Sequence, residues 1–600
     1  IRHSIRDDGV LSAMLLGEKG ALDAEIKSLY QRAGIAHVLA ISGLHISLLG
    51  MGLYRLLRKR LHTRYVTAAL ATTVFLISYA VLSGNGVSTQ RAVGMCLIYL
   101  FADVTGYAYD MLNALGIVVL VLLWENPFLL SYSGFVFSVM AVIAIGVGAN
   151  VLLEWEHSWK RRQQAGEETI KKTFFSRQKE GILVSFAIQL FTIPLVAYSY
   201  YEIPVYAMLI NLFVLAVVNG LLGLTVLGVI VGMAFLPAGR VLFAPCGWML
   251  DSYRFLCEVS LKIPGAQRIT GKPAHMRIFW YYLGLGVFLL AIYACARRNE
   301  KHKDCRETAD LCVSRRKKRL QGIVFSCFIA FLLLFLLFPQ KKSFEIDFLD
   351  VGQGDGIYLC TGGGTSMFID GGSTDVKQVG KYRILPFLKA KGVSEISYWF
   401  VSHTDTDHVS GLKEVLVSGY RVEYLVFAKA VEKEAKTKEL AELASSHGTK
   451  VLYMQAGDTV RSKRAAMRCL YPKASDKADD VNDLCLVLQF EEGDIRALFG
   501  GDISTDVEEQ LSRREKWDKV LIFKADHHGS RYANAEALLK CIRPEITVAS
   551  AGKDNRYGHP SPDAVQRIKE SGSRFFCTIE GGRIRVRVIE NKLGCETYVK

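Results

Sequence analysis

A series of long apolar segments occupies residues 34–338 of this 600-residue chain and constrains its fold more than any other feature. A transmembrane helix needs about 20 mostly apolar residues. The candidate segments are Ile35–Leu57, Val66–Leu82, Ala92–Val104, Leu112–Trp124, Phe128–Leu153, Ile182–Tyr200, Val205–Leu236, Ile278–Ala296 and Leu320–Phe338, with the more charged Val241–Val259 as a weaker one. We expect about eight to ten spans in a polytopic α-helical membrane domain.

Residues 341–600 have the pattern of a soluble α/β domain. Apolar runs of strand length alternate there with helical stretches such as Ala430–Ser446 and Asp563–Ser571. The predicted strands are Phe344–Leu349, Ile357–Cys360, Met367–Asp370, Tyr398–Val401, Arg421–Phe427, Lys450–Met454, Cys485–Phe490, Ile495–Phe499, Val520–Phe523, Ile546–Ala549 and Arg583–Val588. A strand-rich sandwich covered by helices fits this alternation best.

Composition excludes a disordered chain, because half of the residues are hydrophobic and only 22% are charged. The formal net charge is +15. This surplus favours a polyanionic partner, but basic cytoplasmic loops of a membrane protein also produce it. The chain begins at Ile1 rather than Met, so we expect that it lacks the start of the whole protein, and we interpret residues 1–34 as an amphipathic extracytoplasmic lead-in to the membrane domain of residues 35–338.

Basic loops between the apolar segments predict the orientation. Positive loops stay on the cytoplasmic side. Three clusters qualify: Arg55, Arg58, Lys59, Arg60 and Arg64; Lys160, Arg161, Arg162, Lys171, Lys172, Arg177 and Lys179; and Arg297, Arg298, Lys301, Lys303, Arg306 and Arg315–Arg319. An even number of spans separates the first cluster from the second, and one further crossing, Leu320–Phe338, then places the C-terminal domain outside the cytoplasm.

Polar side chains inside the apolar segments need an explanation, because they are expensive in a bilayer. His37, Ser42 and His45 lie near one stripe if Ile35–Leu57 is a single helix. They either line a passage or close a contact between helices that Gly43 and Ser42 allow to approach. Arg91 ends a glycine-rich loop, where it is either part of that passage or an interfacial anchor.

The segment from His403 to His408 gives the sharpest chemical signal. It reads His-Thr-Asp-Thr-Asp-His and closely follows a predicted strand. Imidazoles and carboxylates are standard ligands of divalent ions. Ligand-type residues also follow three later predicted strands, as Asp502, as Asp526, His527 and His528, and as His559. The spacing therefore predicts a metal site at one edge of the sheets, with a solvated acidic loop as the alternative for the first segment taken alone.

These strings resemble two known families. The order of the ligand segments resembles the metallo-β-lactamase superfamily, whose pattern begins H-x-H-x-D-H. Here Asp405 stands at the position of the second histidine. Between His408 and Asp502 no histidine obviously supplies the next ligand, because His447 lies in a polar, helix-like stretch. The strings FLDVGQGDGIYL, FIDGGS, VSHTDTDHVSGL, FGGDIS, KADHHGS and NRYGHPSP resemble the C-terminal domain of ComEC-type competence proteins, and HVLAISGLHISLL resembles the membrane domain of that family.

The resemblance implies a fold and a set of roles. A polytopic membrane domain would precede an αββα metallo-β-lactamase-fold domain at residues 341–600. By analogy, His403 and Asp405 would hold one divalent ion, Asp407, His408 and His559 would hold a second, and Asp502 would bridge them, with Zn²⁺ and Mn²⁺ as the candidates. Asp407 would be a catalytic residue, and His527 or His528 would act as a ligand, a proton donor or a phosphate contact. Asn482 and Ser530 would contact the substrate. Asp355 and Asp370 would either orient the ligands or cap the backbone.

The function that the resemblance implies is DNA uptake in natural transformation. A channel in the plasma membrane would pass one strand, and the extracytoplasmic domain would degrade the other. No Walker-type phosphate-binding motif occurs, so energy would come from a partner such as a cytoplasmic ATPase, from the proton gradient or from hydrolysis. A DNA receptor is a further expected partner, and an oligomer is compatible with the sequence. The alternatives are a membrane-anchored hydrolase without a transport role and a channel whose hydrolase domain is inactive.

Overall fold

The computed structural model describes residues 8–18, 20–41, 43–163, 174–301, 310–338, 342–478, 480–589 and 592–598. The chain divides into two compact units, Ile1–Phe338 and Pro339–Lys600. We call them the helical unit and the sandwich unit and describe each by itself.

In its described residues, the helical unit contains helices and one small strand pair. Its longer α-helices are Asp8–Leu16, Ala24–Ala33, Tyr65–Leu82, Val87–Thr105, Met111–Glu125, Phe174–Tyr200, Ala207–Ala234, Leu236–Lys262, His275–Lys301 and Asp310–Leu336. Two longer helical runs contain a π-helical turn: Gly43–Ile46, Ser47–Met51 and Gly52–Lys59, and Ser133–Ile143, Ala144–Ala149 and Asn150–Gln163. Short 3₁₀ turns at Ala36–Leu39 and Pro127–Ser131 and the antiparallel strands Glu202–Pro204 and Gln267–Ile269 complete it.

Six helices in the described residues are long and apolar enough to cross a membrane, fewer than the expected number of spans. They are Tyr65–Leu82, Ser133–Trp159, Lys179–Tyr200, Ala207–Ala234, His275–Arg298 and Arg316–Leu336, and Met111–Glu125 is a shorter apolar helix. The helix Val87–Thr105 carries Arg91 and Asp103, and Leu236–Lys262 also carries charges. The polytopic helical class predicted from the sequence is confirmed.

The prediction of one continuous helix over Ile35–Leu57 is wrong. A 3₁₀ turn ends at Leu39, Ala40 is extended with φ −102° and ψ 141°, and a new helix begins at Gly43. Glycine and serine favour helix ends over helix interiors, which explains the break. His37 and His45 therefore lie on different elements rather than on one stripe, and Ser42 lies outside the described residues.

The sandwich unit contains two mixed sheets. The first has eight strands in the order Lys592–Tyr598, Arg583–Ile589, Glu345–Phe348, Gly356–Cys360, Ser366–Asp370, Glu395–Phe400, Arg421–Ala428 and Lys450–Met454. The second has seven in the order Arg574–Cys577, Ile546–Ala549, Ile522–Lys524, Ile495–Phe499, Val487–Glu492, Ala465–Tyr471 and Thr459–Ser462. The helices are Leu385–Ala390 (preceded by a π turn, Gly380–Ile384), Thr406–Val417, Ala435–Ser446, Thr505–Arg514, Glu536–Ile542, Pro562–Glu570 and Thr578–Gly581, with 3₁₀ turns at Lys429–Val431, Val481–Leu484 and Asp526–Gly529.

Three apolar clusters establish the order of the layers. Side chains of both sheets, such as Phe400 and Phe499, share one buried cluster between the sheets. A second cluster joins the outer face of the first sheet to helices through Trp399 and Leu412, and a third does the same for the second sheet. Because each sheet is covered on both faces, the unit has the αββα architecture predicted from the sequence.

Parallel strands place the ligand-type residues together. Ser366–Asp370 and Glu395–Phe400 are parallel in the first sheet, and Ile495–Phe499, Ile522–Lys524 and Ile546–Ala549 are parallel in the second. The carboxyl ends of parallel neighbours lie on the same edge of a sheet. The loops that follow these strands therefore converge.

Candidate metal centre

The first group of polar side chains comes from the first sheet. Asp370 ends one strand, and His403 follows the next strand after a three-residue step from Phe400. The helix Thr406–Val417 then begins and carries Asp407 and His408 on its first turn. The glycine-rich turn before Gly356 packs on this helix start, since a Cβ on Gly354 would lie 2.4 Å from the carbonyl oxygen of Asp407.

The second sheet supplies the remaining groups. Asp502 follows the strand Ile495–Phe499, and the 3₁₀ turn Asp526–Gly529 follows Ile522–Lys524. His527 and His528 have φ values of +51° and +54°. Residues other than glycine rarely adopt this left-handed backbone conformation, and where they do, they are concentrated at functional sites. The turn directs the two neighbouring imidazoles to different surroundings: His528 is buried, whereas His527 is 32% exposed.

Four buried side chains gather into one cluster, which we call the metal cluster: Asp355, His408, Asp502 and His528. One ligand-type atom from each lies within 4.8 Å of the others. Oδ2 of Asp502 is 3.5 Å from Nε2 of both His408 and His528. Oδ2 of Asp407 is 3.6 Å from Nε2 of His528. Ligands about 2.1 Å from a tetrahedral ion are separated by about 3.4 Å, so these spacings fit an ion.

Unpartnered polar atoms support the same interpretation. In the described part of the chain, Nε2 of His408, Nε2 of His528, Oδ1 of Asp502 and Oδ1 of Asp355 are buried without a hydrogen-bond partner. Leaving one such atom unsatisfied costs about 1–3 kcal/mol. Atoms of this kind that converge on one point are typical of a cation site, and the donor set of imidazoles and carboxylates suits Zn²⁺ or Mn²⁺.

The far nitrogens of both imidazoles are held by acceptors. Nδ1 of His408 lies 3.0 Å from Oδ2 of Asp370, and Nδ1 of His528 lies 3.0 Å from the carbonyl oxygen of Ser550. Asp370 is itself fixed by the backbone N–H and the hydroxyl of Ser402, at 2.8 and 2.9 Å. Such partners hold the Nδ1–H tautomer and leave Nε2 as the ligand atom. Asp370 thus occupies an orienting position.

A buried lysine lies on the other side of the metal cluster. Nζ of Lys524 is 2.7 Å from Oδ2 of Asp355, whose Oδ1 lies 3.6 Å from Nδ1 of His528. Burial raises the pKa of Asp355, but Lys524 and His528 outweigh it and hold this pKa well below the usual value. One carboxylate oxygen of Asp355 therefore binds Lys524, and the other faces the metal cluster.

The carboxylates also change the proton affinity of the imidazoles. Burial lowers the pKa of His528, but Asp502 and Asp355 outweigh it and raise this pKa to about 9. His408 is raised well above its ordinary pKa by Asp502 and Asp370 against the same effect of burial. Burial raises the pKa of Asp502, yet His528 and His408 hold it well below its usual range. Without a bound ion, the imidazoles of the cluster would therefore hold protons where a cation would bind.

His403 and Asp405 lie beside the metal cluster. The His403 ring centroid is 4.0 Å from that of His408, and burial and His408 lower the pKa of His403 to about 4. Nδ1 of His403 is 3.4 Å from Sγ of the buried Cys485. Oδ2 of Asp405 is 4.0 Å from Nε2 of His403, but Oδ1 accepts a hydrogen bond from the exposed Lys436. His403 and Asp405 thus lie next to each other, but in the described residues they are not part of the group of ligand-type atoms that forms the metal cluster.

His527 and His559 lie at the rim. Nε2 of His527 is 3.8 Å from Oδ2 of Asp502. The His559 ring centroid lies 6.3 Å from that of His528 and 5.6 Å from that of His527. Burial, together with His528 and His527, lowers the pKa of His559 to about 4. In the described residues, Nδ1 of His559 is buried without a hydrogen-bond partner, and its role as a ligand stays a prediction.

The predicted substrate contacts are not joined to the metal cluster by hydrogen bonds in the described residues. Asn482 lies on the 3₁₀ turn Val481–Leu484, where its backbone N–H donates to Asp480. The buried Ser530 hydroxyl accepts from the backbone N–H of Tyr532. Neither position tests a role toward a substrate, so both roles stay predictions.

The described channel residues His37, His45 and Arg91 lie on three different elements of the helical unit. His37 is exposed on the 3₁₀ turn Ala36–Leu39, and His45 is buried. Arg91 is 6% exposed, and its Nε donates to the Ser138 hydroxyl at 2.8 Å on a neighbouring helix. Arg91 therefore lies inside a helix rather than at the end of a loop, and its role in a passage or as an interfacial anchor stays a prediction.

Two residues of the site were missed in the sequence. Lys524 ends a short apolar strand and gives no local sign that it is buried. Cys485 is fully buried against His403 and near the backbone of Asp502, yet it was read only as the start of a strand. Lys524 lies far from the glycine-rich turn in the sequence. The spacing of residues along the sequence therefore could not predict that the two are close in the structure.

Comparisons with known proteins found a family model, relatives and solved structures that are similar to parts or most of this chain. Residues 14–294 match the family model described as "Competence protein". ComE operon protein 3 of Bacillus subtilis is 25% identical over 98% of this chain and 72% of that protein. Recombination protein 2 of Haemophilus influenzae is also 25% identical, over 98% of this chain and 72% of that protein. Among solved structures, the metallo-beta-lactamase fold protein YhfI from Bacillus subtilis is 11% identical over 39% of this chain and 96% of its own, with a TM-score of 0.28.

Proposed function

Because the chain carries the domain of the competence protein family and is related to competence proteins over nearly its whole length, we propose that it takes up DNA across the plasma membrane in natural transformation. We further propose that its sandwich unit is a metal-dependent phosphodiesterase. The metal cluster is the single observation that carries this second proposal, since it combines convergent buried ligand atoms with fixed imidazole tautomers.

The residues divide into three tasks. His408, Asp502, His528 and Asp407 would hold an ion, and a bound divalent ion supplies an activated water and polarises a phosphoryl oxygen. Asp370, Ser550 and the Lys524–Asp355 pair keep the ligands oriented. His527 is partly exposed beside Asp502, and it would give a proton to the departing oxygen of the phosphodiester.

A second ion is part of the proposal as a weaker site. His403 and Asp405 would hold it, with Asp502 between the two ions. Their 4.0 Å contact supports this assignment. Oxygen ligands from Asp405 favour Mn²⁺ at this position as much as Zn²⁺.

Cleavage of DNA by the purified full-length protein tests the hydrolase proposal. We expect Mn²⁺- or Zn²⁺-dependent cleavage of a labelled oligonucleotide, lost in an Asp502→Asn, His528→Gln double variant. His447→Gln is the matched control, because His447 is an exposed histidine on the turn after the helix Ala435–Ser446. Equal cleavage by the double variant and the control would refute the assignment.

The uptake proposal places the strand passage in the helical unit and the sandwich unit outside the cytoplasm. The apolar helices and the family support a multi-pass membrane protein, and the basic loops of the sequence support the orientation. A DNA receptor and a cytoplasmic ATPase are the proposed partners. Complementation tests the uptake role: in a naturally transformable host that lacks its own relative, the wild-type gene should restore transformation. Cysteine labelling tests the orientation: a cysteine in place of the exposed Tyr382 should react with an impermeant maleimide, and a cysteine in place of Arg298 should not.

An inactive hydrolase domain is the competing form of the proposal. Asp407→Ala decides between the two forms, because Asp407 is a proposed ligand and belongs to the sandwich unit. A fall in transformation frequency supports a required hydrolase, whereas an unchanged frequency supports a conduit alone.

A further inference from the structure

An exposed aromatic side chain is linked to the metal cluster by a row of rings. The Tyr557 ring lies 5.7 Å from the His559 ring at an interplanar angle of 25°, and the His559 ring lies 5.6 Å from the His527 ring. His527 is the rim histidine next to Asp502. We call Tyr557, His559 and His527 the aromatic row. It runs from the metal cluster to the surface in two ring-to-ring steps.

The outer end of the aromatic row is open to a ligand. Tyr557 is 50% exposed, although its ring stacks on that of the half-buried His559. The guanidinium of the fully exposed Arg556 lies 5.0 Å from the centre of this ring and donates to its hydroxyl. The same loop carries the exposed Lys553 and a single carboxylate, Asp554. A flat apolar surface beside two cations is the combination that binds the bases and phosphates of a single strand.

The loop that carries Tyr557 is fixed before any ligand binds. The side chain of Asn555 donates to the carbonyl oxygens of Gly552 and His559, at 2.8 and 2.6 Å. Its oxygen accepts from the backbone N–H groups of Tyr557 and His559, at 3.2 and 2.9 Å. The half-buried amide of Asn555 thus makes four hydrogen bonds, which fix the backbone at both Tyr557 and His559. A surface that is ordered in advance loses little entropy when a ligand stacks on it.

We infer that Tyr557 and Arg556 form a base-stacking subsite for the nucleotide next to the phosphodiester that the metal cluster receives. The inference rests on the proposed phosphodiesterase function and adds the substrate class, which is single-stranded DNA. A base within a duplex has both faces covered by its neighbours, so only an unpaired or frayed strand presents a free face. Stacking does not distinguish between bases, so the subsite selects strand state rather than sequence.

Photocrosslinking of the full-length protein tests the inference without metal or cleavage. The probe is a short oligodeoxynucleotide that carries 5-iododeoxyuridine, irradiated with the protein in EDTA, and the crosslinked peptides are mapped by mass spectrometry. We expect a crosslink within residues 553–559, lost in Tyr557→Ala and kept in Tyr557→Phe. Tyr382→Ala is the matched control, because Tyr382 is also an exposed tyrosine with a cation, Lys381, over its ring, but it lies on another element.

Kinetics give a second readout. Removing one stacking ring weakens the binding of a base by about 5- to 150-fold. Tyr557→Ala should therefore raise the KM for a single-stranded oligonucleotide within that range and leave kcat within about twofold. The KM for an otherwise identical oligonucleotide with abasic sites should change little.

The outcomes separate this inference from the proposed function. Crosslinks at residues 553–559 in a protein that never cleaves DNA would support the subsite and refute the phosphodiesterase. Cleavage combined with crosslinks only in other segments, or with equal KM values for wild type and Tyr557→Ala, would overturn the subsite and leave the phosphodiesterase standing. A crosslink that Tyr382→Ala also abolishes would overturn the subsite as well.

Discussion

The ammonium nitrogen of Lys524 lies 2.7 Å from Oδ2 of Asp355, and each side chain is only 1% exposed. The two residues come from distant parts of the sequence, the end of a strand in the second sheet and the glycine-rich turn before Gly356 in the first. The pair therefore joins the two sheets at the edge where the metal cluster lies. Because Asp355 also faces His528, the pair connects the stability of the sandwich unit to the geometry of the site.

Replacing the lysine should destabilise the sandwich unit. Lys524→Met leaves the Asp355 carboxylate buried without its cation, and breaking a buried pair in this way costs about 3–5 kcal/mol. The double variant Lys524→Met, Asp355→Asn removes the unpaired charge and should recover part of the loss. Hydrogen exchange of the strand Ile522–Lys524 in the full-length protein measures both. Equal protection in the single variant and the wild type would contradict the role of the pair.

Asp370 should control the affinity for metal without binding it. Its contact with Nδ1 of His408 at 3.0 Å fixes the imidazole, and losing such a partner costs about 10- to 100-fold in metal affinity. We expect this loss for Asp370→Asn in competition with a chromophoric chelator. Asp375→Asn is the matched control, since Asp375 lies on the same turn but bonds only the backbone of Gln353 and the Ser373 hydroxyl. Equal affinities in the two variants would contradict the prediction.

Most strands of the sandwich in the described residues could be predicted from the sequence, and four could not. Lys450–Met454, Ile495–Phe499 and Ile546–Ala549 have the bounds that their apolar runs predict. Of the unpredicted strands, Thr459–Ser462, Arg574–Cys577 and Lys592–Tyr598 lie at sheet edges, whereas Ala465–Tyr471 lies inside the second sheet. Edge strands face solvent and carry charges that oppose further pairing. The edge strand Lys450–Met454 is nevertheless predicted by its apolar run, so an edge position explains only part of the missed strands.

The candidate site divides in a similar way. His408 and Asp502 could be found because each follows an apolar run at a strand end. The choice between His527, His528 and His559 could not be made from the sequence. It depends on the left-handed backbone at both His527 and His528, which turns one imidazole inward and the other toward the rim. Adjacent residues in an irregular turn follow no period that a sequence pattern can detect.

Metal titration should show two unequal equivalents. The first ion meets four groups that are already assembled. The second needs Asp405, which is engaged by Lys436 at 2.9 Å. We expect Lys436→Ala to strengthen the second equivalent and leave the first unchanged, as measured by isothermal titration or native mass spectrometry. Exposed ion pairs contribute at most about 1 kcal/mol, so the gain should stay below about fivefold. Two equivalents of equal affinity in the wild type would contradict this prediction.

Metal affinity should increase with pH over a range that the cluster itself sets. Burial lowers the pKa of His528, and Asp502 and Asp355 outweigh it and raise this pKa to about 9. At neutral pH the metal-free protein therefore holds a proton on an imidazole that must be neutral to bind an ion, so metal binding releases that proton.

The sign and the size of this effect follow from the competition between proton and ion. Below pH 9 a proton on His528 competes with the ion, so His528 alone should raise the apparent affinity about tenfold between pH 7 and 8 and about fivefold between pH 8 and 9. His408, whose pKa is also raised, adds to this slope. Above pH 9 the contribution of His528 ends. Chelator competition across this range measures the slope, and an affinity that is independent of pH would show that the imidazoles are not ligands.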